Sequence, residues 1–362
     1  MNQLLQKKLL IIAQAQFGYH TPNYTYVKYL KEDFEITYIC WDFNKKKIYV
    51  DGVNVIYVKR NGNFITRSMN FLKTILRISN QKNTVIFITY FKFISTILKV
   101  LERNNPIVLD IRTGSVKKKH FLRLFYDGLM RAESALFKYR TVLSVSLAKK
   151  IKLYPNVYIL PLGADIISST QKTFDEINLL YVGTLWNRNI EETIIGFSKF
   201  YHEYKEIIPI RYTIIGCGKY NEVQNLKEIV KKERLSEVVD VLGEIPHNRL
   251  KKHFDSHNIG VSYIPMTPYY DCQPAIKLFE YLLSGMPVIA TDTFENRVVV
   301  NDSNGILIND NSSNFYKGLR ELFERRQNFN SDYICNSSRQ YSWMNIVDSF
   351  KGYLNHIYDE AF

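Results

Sequence analysis

Ile276-Lys277-Leu278-Phe279-Glu280-Tyr281-Leu282-Leu283-Ser284-Gly285-Met286-Pro287-Val288-Ile289-Ala290-Thr291 holds, in sixteen residues, a helix, its stop and the strand that follows. Residues 276–284 have helical apolar spacing. Gly285 supplies the C-terminal stop and Pro287 prevents resumption, so the β-branched run Val288–Thr291 reads as a strand. Reading upstream, Ile259–Tyr263, Val238–Leu242, Arg211–Ile215 and Asn178–Val182 are strand-like. Leu250–His253, Leu226–Glu233 and Glu191–Tyr204 between them are helical. Downstream come Gly305–Ile308, a strand, and Phe315–Arg326, a helix. Strand and helix alternating at this pitch predict a parallel sheet covered on both faces.

The first half repeats the pattern. Strand-like runs occur at Leu9–Ala13, Ile36–Cys40, Val53–Val58, Thr84–Thr89, Ile107–Leu109, Thr141–Val145 and Val157–Leu160. Helical stretches fall at Asn70–Ile78, Phe93–Leu101 and Phe121–Phe137. The polar stretch Pro161–Glu176 separates the halves. The expected organisation is two Rossmann-like, doubly wound α/β domains, residues 1–163 and 164–342. A final segment, 343–362, contains the helical run Trp343–Ile357 and is expected to pack back on the first domain. Ligands of such sheets bind at the carboxyl ends of the strands.

Composition narrows the class. With 46% hydrophobic residues and only 10 Pro in 362, long disordered segments are not expected. Cys40, Cys217, Cys272 and Cys335 are scattered without C-x-x-C spacing, which argues against a disulfide scaffold or zinc site and for a reducing compartment, the cytoplasm. Lys7-Lys8 followed by Leu9–Ala13 imitates a signal peptide, but the apolar stretch is shorter than the roughly 7 to 15 residues of a secretory core. Val85–Leu101 is interrupted by Lys92 and Lys99, short of a membrane span. Charge is uneven: residues 1–163 carry 27 basic and 9 acidic side chains, net +18, and residues 164–362 carry 21 and 26, net −5. The basic half, with Lys45-Lys46-Lys47 and Lys117-Lys118-Lys119, suits phosphates of a lipid-linked pyrophosphate, an anionic leaflet or nucleic acid. Each cluster taken singly also fits a solvated loop.

Chemistry-bearing residues concentrate in the second half. Leu179-Leu180-Tyr181-Val182-Gly183-Thr184-Leu185 runs a buried strand into a glycine that lets backbone approach a ligand. Arg188 lies just before the next helix, where a guanidinium suits a diphosphate. A plain β–α turn with a surface Arg fits equally. Gly216-Cys217-Gly218 is a lone G-x-G, a turn as readily as a phosphate loop. Lys277 sits in the opening turns of its helix, where the macrodipole does not favour a cation, and Glu280 follows on the same face at i+3. One face then offers a cation for phosphate and a carboxylate for sugar hydroxyls. An ordinary exposed Lys–Glu pair is the competing reading.

Leu-Tyr-Val-Gly-Thr-Leu at 180–185, Gln-Pro-x-x-Lys-Leu-Phe-Glu-Tyr-Leu at 273–282 and Gly-Met-Pro-Val-Ile-Ala-Thr at 285–291 resemble glycosyltransferases of the GT-B fold, family 4 or a close relative of the bacterial surface-polysaccharide type. Asp110-Ile111-Arg112 is similar to the family's Asp-x-His/Arg strand end, and Leu160–Asp165 to its interdomain Pro-x-Gly-x-Asp segment. Val241–Pro246 is similar to the strand and loop that hold the nucleotide base. The resemblance implies two Rossmann-like domains facing each other across a cleft, an acceptor-binding one (1–163) and a nucleotide-sugar-binding one (164–342). It implies hexosyl transfer from a UDP- or GDP-sugar to a lipid-linked oligosaccharide or saccharide acceptor, in capsule, O-antigen or exopolysaccharide synthesis. Arg188 and Lys277, with Arg112, are then the catalytic cations, and Gly183, Thr184, Gly216, Glu244, Ile245, Cys272, Gln273 and Glu280 line the donor. Arg112 contacts the donor or forms a salt bridge across the interdomain seam.

Two departures stand out. Eight residues before Glu280, where members often carry a first glutamate for the donor sugar, stands Cys272, which shifts that contact to Asp271 or Gln273. The usual Arg after the strand-end glycine is Thr184, which leaves Arg188 as the phosphate ligand. The sequence has no D-x-D triplet, so no metal and no resident cofactor are expected, and fixed cations are expected to stabilise the leaving diphosphate. Retention of anomeric configuration is carried over from family 4. On the acceptor side, Gly18, His20 and Tyr24 lie in Phe17–Tyr24 after the first strand. His20 is a candidate base or simply a polar loop residue. The basic clusters and Trp41, Phe43, Phe121, Phe125 and Tyr126 suit peripheral attachment to the inner face of an anionic membrane, or a solvated helix face. Two alternatives are a non-catalytic nucleotide-sugar-binding homologue, given Cys272, and a nucleic-acid binder, against which no nucleic-acid motif is found and no nucleic acid is expected as partner.

Overall fold

The structure is a computed structural model that describes residues 7–115, 119–219, 221–268 and 270–362. Lys117 and Lys118 of the basic run therefore lie outside the described residues. The chain divides into two compact units, one of residues up to Leu162 together with Trp343–Phe362, the other Gly163–Ser342. The division falls one residue before the expected boundary.

In the first unit the order is β1 (Lys7–Ala13), α1 (Thr21–Leu30), β2 (Phe34–Asp42), β3 (Val53–Lys59), α2 (Phe64–Ser79), β4 (Thr84–Thr89), α3 (Ile94–Leu101), β5 (Ile107–Ile111), α4 (His120–Ser134), β6 (Tyr139–Val142), α5 (Val145–Lys150) and β7 (Tyr158–Ile159). All strand pairs are parallel in the order β3-β2-β1-β4-β5-β6-β7, so the winding direction switches between β1 and β4. The second unit continues with β8 (Ile177–Val182), α6 (Glu191–Tyr204), β9 (Ile210–Ile215), α7 (Glu222–Lys232), β10 (Val239–Gly243), α8 (Lys251–Ser256), β11 (Ile259–Ser262), α9 (Ile276–Leu283), β12 (Val288–Thr291), α10 (Phe294–Val299), β13 (Gly305–Ile308), α11 (Ser312–Arg325) and α12 (Ser331–Ser337). Its parallel order is β10-β9-β8-β11-β12-β13, with the switch between β8 and β11. Helices on both faces explain why β8 is buried at every residue and reads as an unbroken apolar run.

The last helix, α13 (Trp343–Ala361), buries Trp343, Ile346, Val347, Phe350, Leu354, Ile357 and Tyr358 in the core of the first unit. That i, i+3, i+4, i+7 stripe meets Tyr26 of α1 and Phe87 of β4, with ring centroids 5.2 and 5.1 Å from Phe350.

Four helices are additional to the expected pattern, and β6 ends early. Residues 141–145 are not all strand: β6 stops at Val142 because Ser144 accepts a hydrogen bond from Leu147 N (3.2 Å) and caps α5. Two short unexpected helices start on similar caps, Thr293 for α10 and Asn330 for α12. Helix α1 has no side-chain cap and a Pro in its first turn, so its start carries little signal.

Candidate functional site

The site grows from the carboxyl ends of β8, β9 and β10. Pairing continues past the strands: Gly183 N donates to Ile215 O (3.0 Å), Leu185 N to Cys217 O (2.8 Å) and Gly216 N to Gly243 O (2.8 Å). Three glycines therefore end adjacent strands. A Cβ on Gly216 would lie 1.9 Å from the Gly183 carbonyl oxygen, so a side chain there would drive the two strand ends apart. Beyond Gly243, Glu244 is exposed, while Ile245 leans on the core of the second unit. Thr184 is exposed, and its carbonyl accepts a hydrogen bond from Tyr181 Oη (2.7 Å). Gly183, Thr184, Gly216, Glu244 and Ile245 are thus brought to one edge of bare backbone.

Helix α9 is fixed against this edge, with Val182 N of β8 donating to Tyr281 Oη of α9 at 2.8 Å. The adjacent Glu280 is buried, its side chain only 5% exposed. One carboxylate oxygen accepts from Lys277 Nζ and the other lies 3.2 Å from His247 Nε2. The competing reading, an ordinary exposed Lys–Glu pair, is therefore not what forms: the acid is buried and its partners reach solvent, Lys277 at 24% and His247 at 54% side-chain exposure. Its hydrogen bond to Glu280 raises the His247 pKa above the usual histidine value, against partial burial. Sequence reasoning misses His247. It stands one residue beyond the Val241–Pro246 stretch and meets a partner 33 positions away, a contact no local pattern encodes.

Arg188 and the Cys272 segment form the neighbouring wall. The Arg188 guanidinium lies over the Tyr270 ring, 4.3 Å from its centroid, joining the β8–α6 loop to the turn Tyr270–Cys272 that leads into α9. Cys272 is buried and Gln273 partly so, and Gln273 N donates to Tyr270 O (3.0 Å). Asp271 is exposed, and its Oδ1 accepts from Phe294 N (2.8 Å) at the start of α10. The helix after Arg188 is also a poor phosphate end. Its first turn holds Glu191 and Glu192, which already complement the dipole and would repel a diphosphate.

In the first unit the candidates gather at the carboxyl edge of β1, β4 and β5. Arg112 turns inward: Nε donates to Asp110 (2.6 Å), Nη1 to Leu160 O (3.0 Å) and Nη2 to Tyr26 Oη (2.8 Å). Thr141 Oγ1 completes Asp110 at 2.6 Å. The salt bridge of Arg112 to Asp110 lies within this unit. A donor contact would require exchanging bonds buried beside a fully buried carboxylate. His20 precedes α1. Burial and then the Arg112 charge lower its pKa, leaving the imidazole neutral near pH 7. Tyr24 is not a loop residue but lies in the first turn of α1, packed edge-on to Phe17 at 5.5 Å. Gly18 makes its close approach to Ile48, whose side chain a Cβ would overlap at 2.1 Å.

With this geometry in place, residues 176–325, which hold the second unit's strand-end glycines, Arg188, His247, Cys272 and the Lys277–Glu280 face, match the family of glycosyl transferases group 1. No curated protein matches the chain. Sucrose-phosphate synthase from Thermosynechococcus elongatus superposes with a TM-score of 0.72 at 13% identity, over 98% of this chain and 100% of that one. Anabaena HepE in complex with UDP gives 0.70 at 11%, over 96% and 100%. The apo lipopolysaccharide outer core galactosyltransferase WaaB gives 0.71 at 13%, over 96% and 99%. At such identities the likeness speaks for the fold, and the fold is GT-B.

Proposed function

We propose that this chain is a glycosyltransferase that moves a hexosyl unit from a nucleotide-sugar, UDP- or GDP-linked, to a lipid-linked oligosaccharide or saccharide acceptor in surface-polysaccharide synthesis. The observation that carries the reading is the edge where three strand-end glycines meet a buried carboxylate held by Lys277 and His247, both of which reach solvent. The group 1 match over 176–325 and a neighbour solved with UDP support it.

The chemistry follows from where charge develops. Breaking the sugar–phosphate bond leaves a nucleoside diphosphate, and cations that meet it more strongly in the transition state lower the barrier. Lys277 and Arg188 are the available cations, and α9 adds uncapped N–H groups at its first turn. Glu280 accepts hydrogen bonds from the ribose hydroxyls. Glu244 and Ile245 flank the base, and Gln273 beside Cys272 approaches the donor sugar. We read the transfer as retaining and independent of metal or resident cofactor. The first unit holds the acceptor, with Gly18, His20 and Tyr24 near it and neutral His20 able to take a proton from the acceptor hydroxyl. No helix among the described residues is long and apolar enough to cross a membrane. We place the protein in the cytoplasm, docked through its first unit on the anionic inner face of the plasma membrane.

The test is nucleotide release from a panel of UDP- and GDP-sugars, run in excess EDTA. Release with one donor that is stimulated by an acceptor is expected. Binding without turnover would make the chain a non-catalytic homologue, and full loss in EDTA restored by Mg²⁺ would reveal a metal requirement.

A further inference from the structure

Glu280 presents a conflict within the donor reading, and the role assigned to His247 rests on that reading. A carboxylate with 5% exposure needs charged or hydrogen-bonding partners, since an unpaired buried charge is costly. Lys277, at i+3 on the same helix, supplies one now. The same Lys277 is the cation proposed for the diphosphate, and its ammonium cannot sit fully against both groups. If it moves to the phosphate, Glu280 loses a partner just when it must be ionised and oriented to take two ribose hydroxyls.

The second partner comes from outside the helix. His247 lies in the turn His247–Arg249 after β10, on a separate element, so displacement of Lys277 leaves its contact in place. We propose that His247 is a positioning residue that holds Glu280 when Lys277 passes to the diphosphate, so that donor binding is coupled to protonation of the imidazole. No bond of the donor is made or broken in this step, and the proton comes from solvent.

The surroundings agree in sign. The charged groups facing His247 are Glu280 and Lys277 on α9 and Asp165 on the segment entering the second unit; Glu280 and Asp165 favour the imidazolium and Lys277 opposes it. Moving Lys277 onto a diphosphate weakens the one opposing charge and adds a new anion nearby. The imidazole is thus more basic in the complex than in the free protein. Affinity is greatest below the free-state pKa and falls as pH rises through that of the complex.

The experiment measures UDP and GDP binding by calorimetry from about pH 6 to about pH 9, a range that brackets the ordinary histidine value of about 6.5. Wild type is compared with His247→Gln, which keeps an N–H donor without the charge, and with His247→Ala. Titration of the nucleotide's own phosphate is common to all three and cancels in the ratios. A difference of one pKa unit between free and bound states corresponds to about tenfold in affinity. The wild-type advantage over His247→Gln should therefore shrink by about that factor across the range, and His247→Ala should bind more weakly than Gln at every pH. Thermal unfolding without nucleotide checks that both variants fold. Parallel profiles for wild type and His247→Gln would overturn the coupling and leave the donor site standing. Absence of binding by either nucleotide to wild type at any pH would overturn both.

Discussion

Each unit places a buried carboxylate at the carboxyl edge of its sheet, and the two are built to opposite ends. Asp110 is fully buried and so, nearly, is Arg112, with 10% of its side chain exposed. Three donors of that guanidinium and both carboxylate oxygens are engaged within the unit. Glu280 is almost as buried, but its partners are half or a quarter exposed, and His247 reaches it from a separate element. A cation sealed with its anion holds structure. A cation that reaches solvent can exchange its anion for another. Burial of the positive partner, more than the presence of an ion pair, separates framework from site here.

The comparison breaks most visibly at Arg112. Arg112→Ala leaves Asp110 buried without its cation and with Thr141 Oγ1 still against it, and removing one partner of a buried pair costs about 3–5 kcal/mol. The urea midpoint should fall accordingly. A variant with wild-type unfolding but no transfer would return Arg112 to the donor and erase the contrast.

At the second site the effect moves from stability to turnover. Lys277→Ala and Glu280→Ala should each lower kcat/KM by the equivalent of about 2–4 kcal/mol, the range for losing one charge-assisted contact to developing charge. Lys277→Ala should unfold near the wild-type temperature, since His247 still holds the acid. Near-wild-type turnover in both variants would remove the donor assignment.

Much of this is legible in the sequence because local rules govern it. The apolar runs at 179–182, 211–215 and 288–291 and the Gly285/Pro287 stop mark β8, β9, β12 and the end of α9 through periodicity and φ preference alone. What stays illegible depends on distance along the chain. Nothing near Asp110 announces that Arg112 reaches Tyr26, 86 positions away, or near Glu280 that His247 meets it. Short helices resting on one cap, such as α10 and α12, have too few turns for periodicity to register. The Glu191-Glu192 pair is readable as a reason to reject the α6 end for phosphate, and the strand-end glycine before it draws the attention instead.

The smallest expected effect concerns the outer surfaces, where residues 1–163 carry net +18 and the remainder −5. On the first unit, α3 and α4 are neighbours: Glu133 of α4 accepts from Phe93 N (2.9 Å) and Thr96 Oγ1 (2.8 Å), and Lys92 lies 4.3 Å over the Tyr126 ring. These two helices expose Val100, Leu101, Phe121, Leu124 and Phe125, Phe121 at 76%, amid Lys92, Lys99, Arg123 and Arg131. Apolar rings among cations fit the boundary of an anionic leaflet, where each Lys or Arg contributes about 1 kcal/mol within a screening length of roughly 8–10 Å. In flotation assays, binding to anionic vesicles should weaken as salt rises and be slight on neutral ones. Phe121→Ser with Phe125→Ser should lower it severalfold at constant charge, without changing transfer to a soluble acceptor analogue. Equal partitioning to both vesicle types, or none at low salt, would reduce the asymmetry of charge to a matter of solubility and leave the contrast between the two buried carboxylates intact.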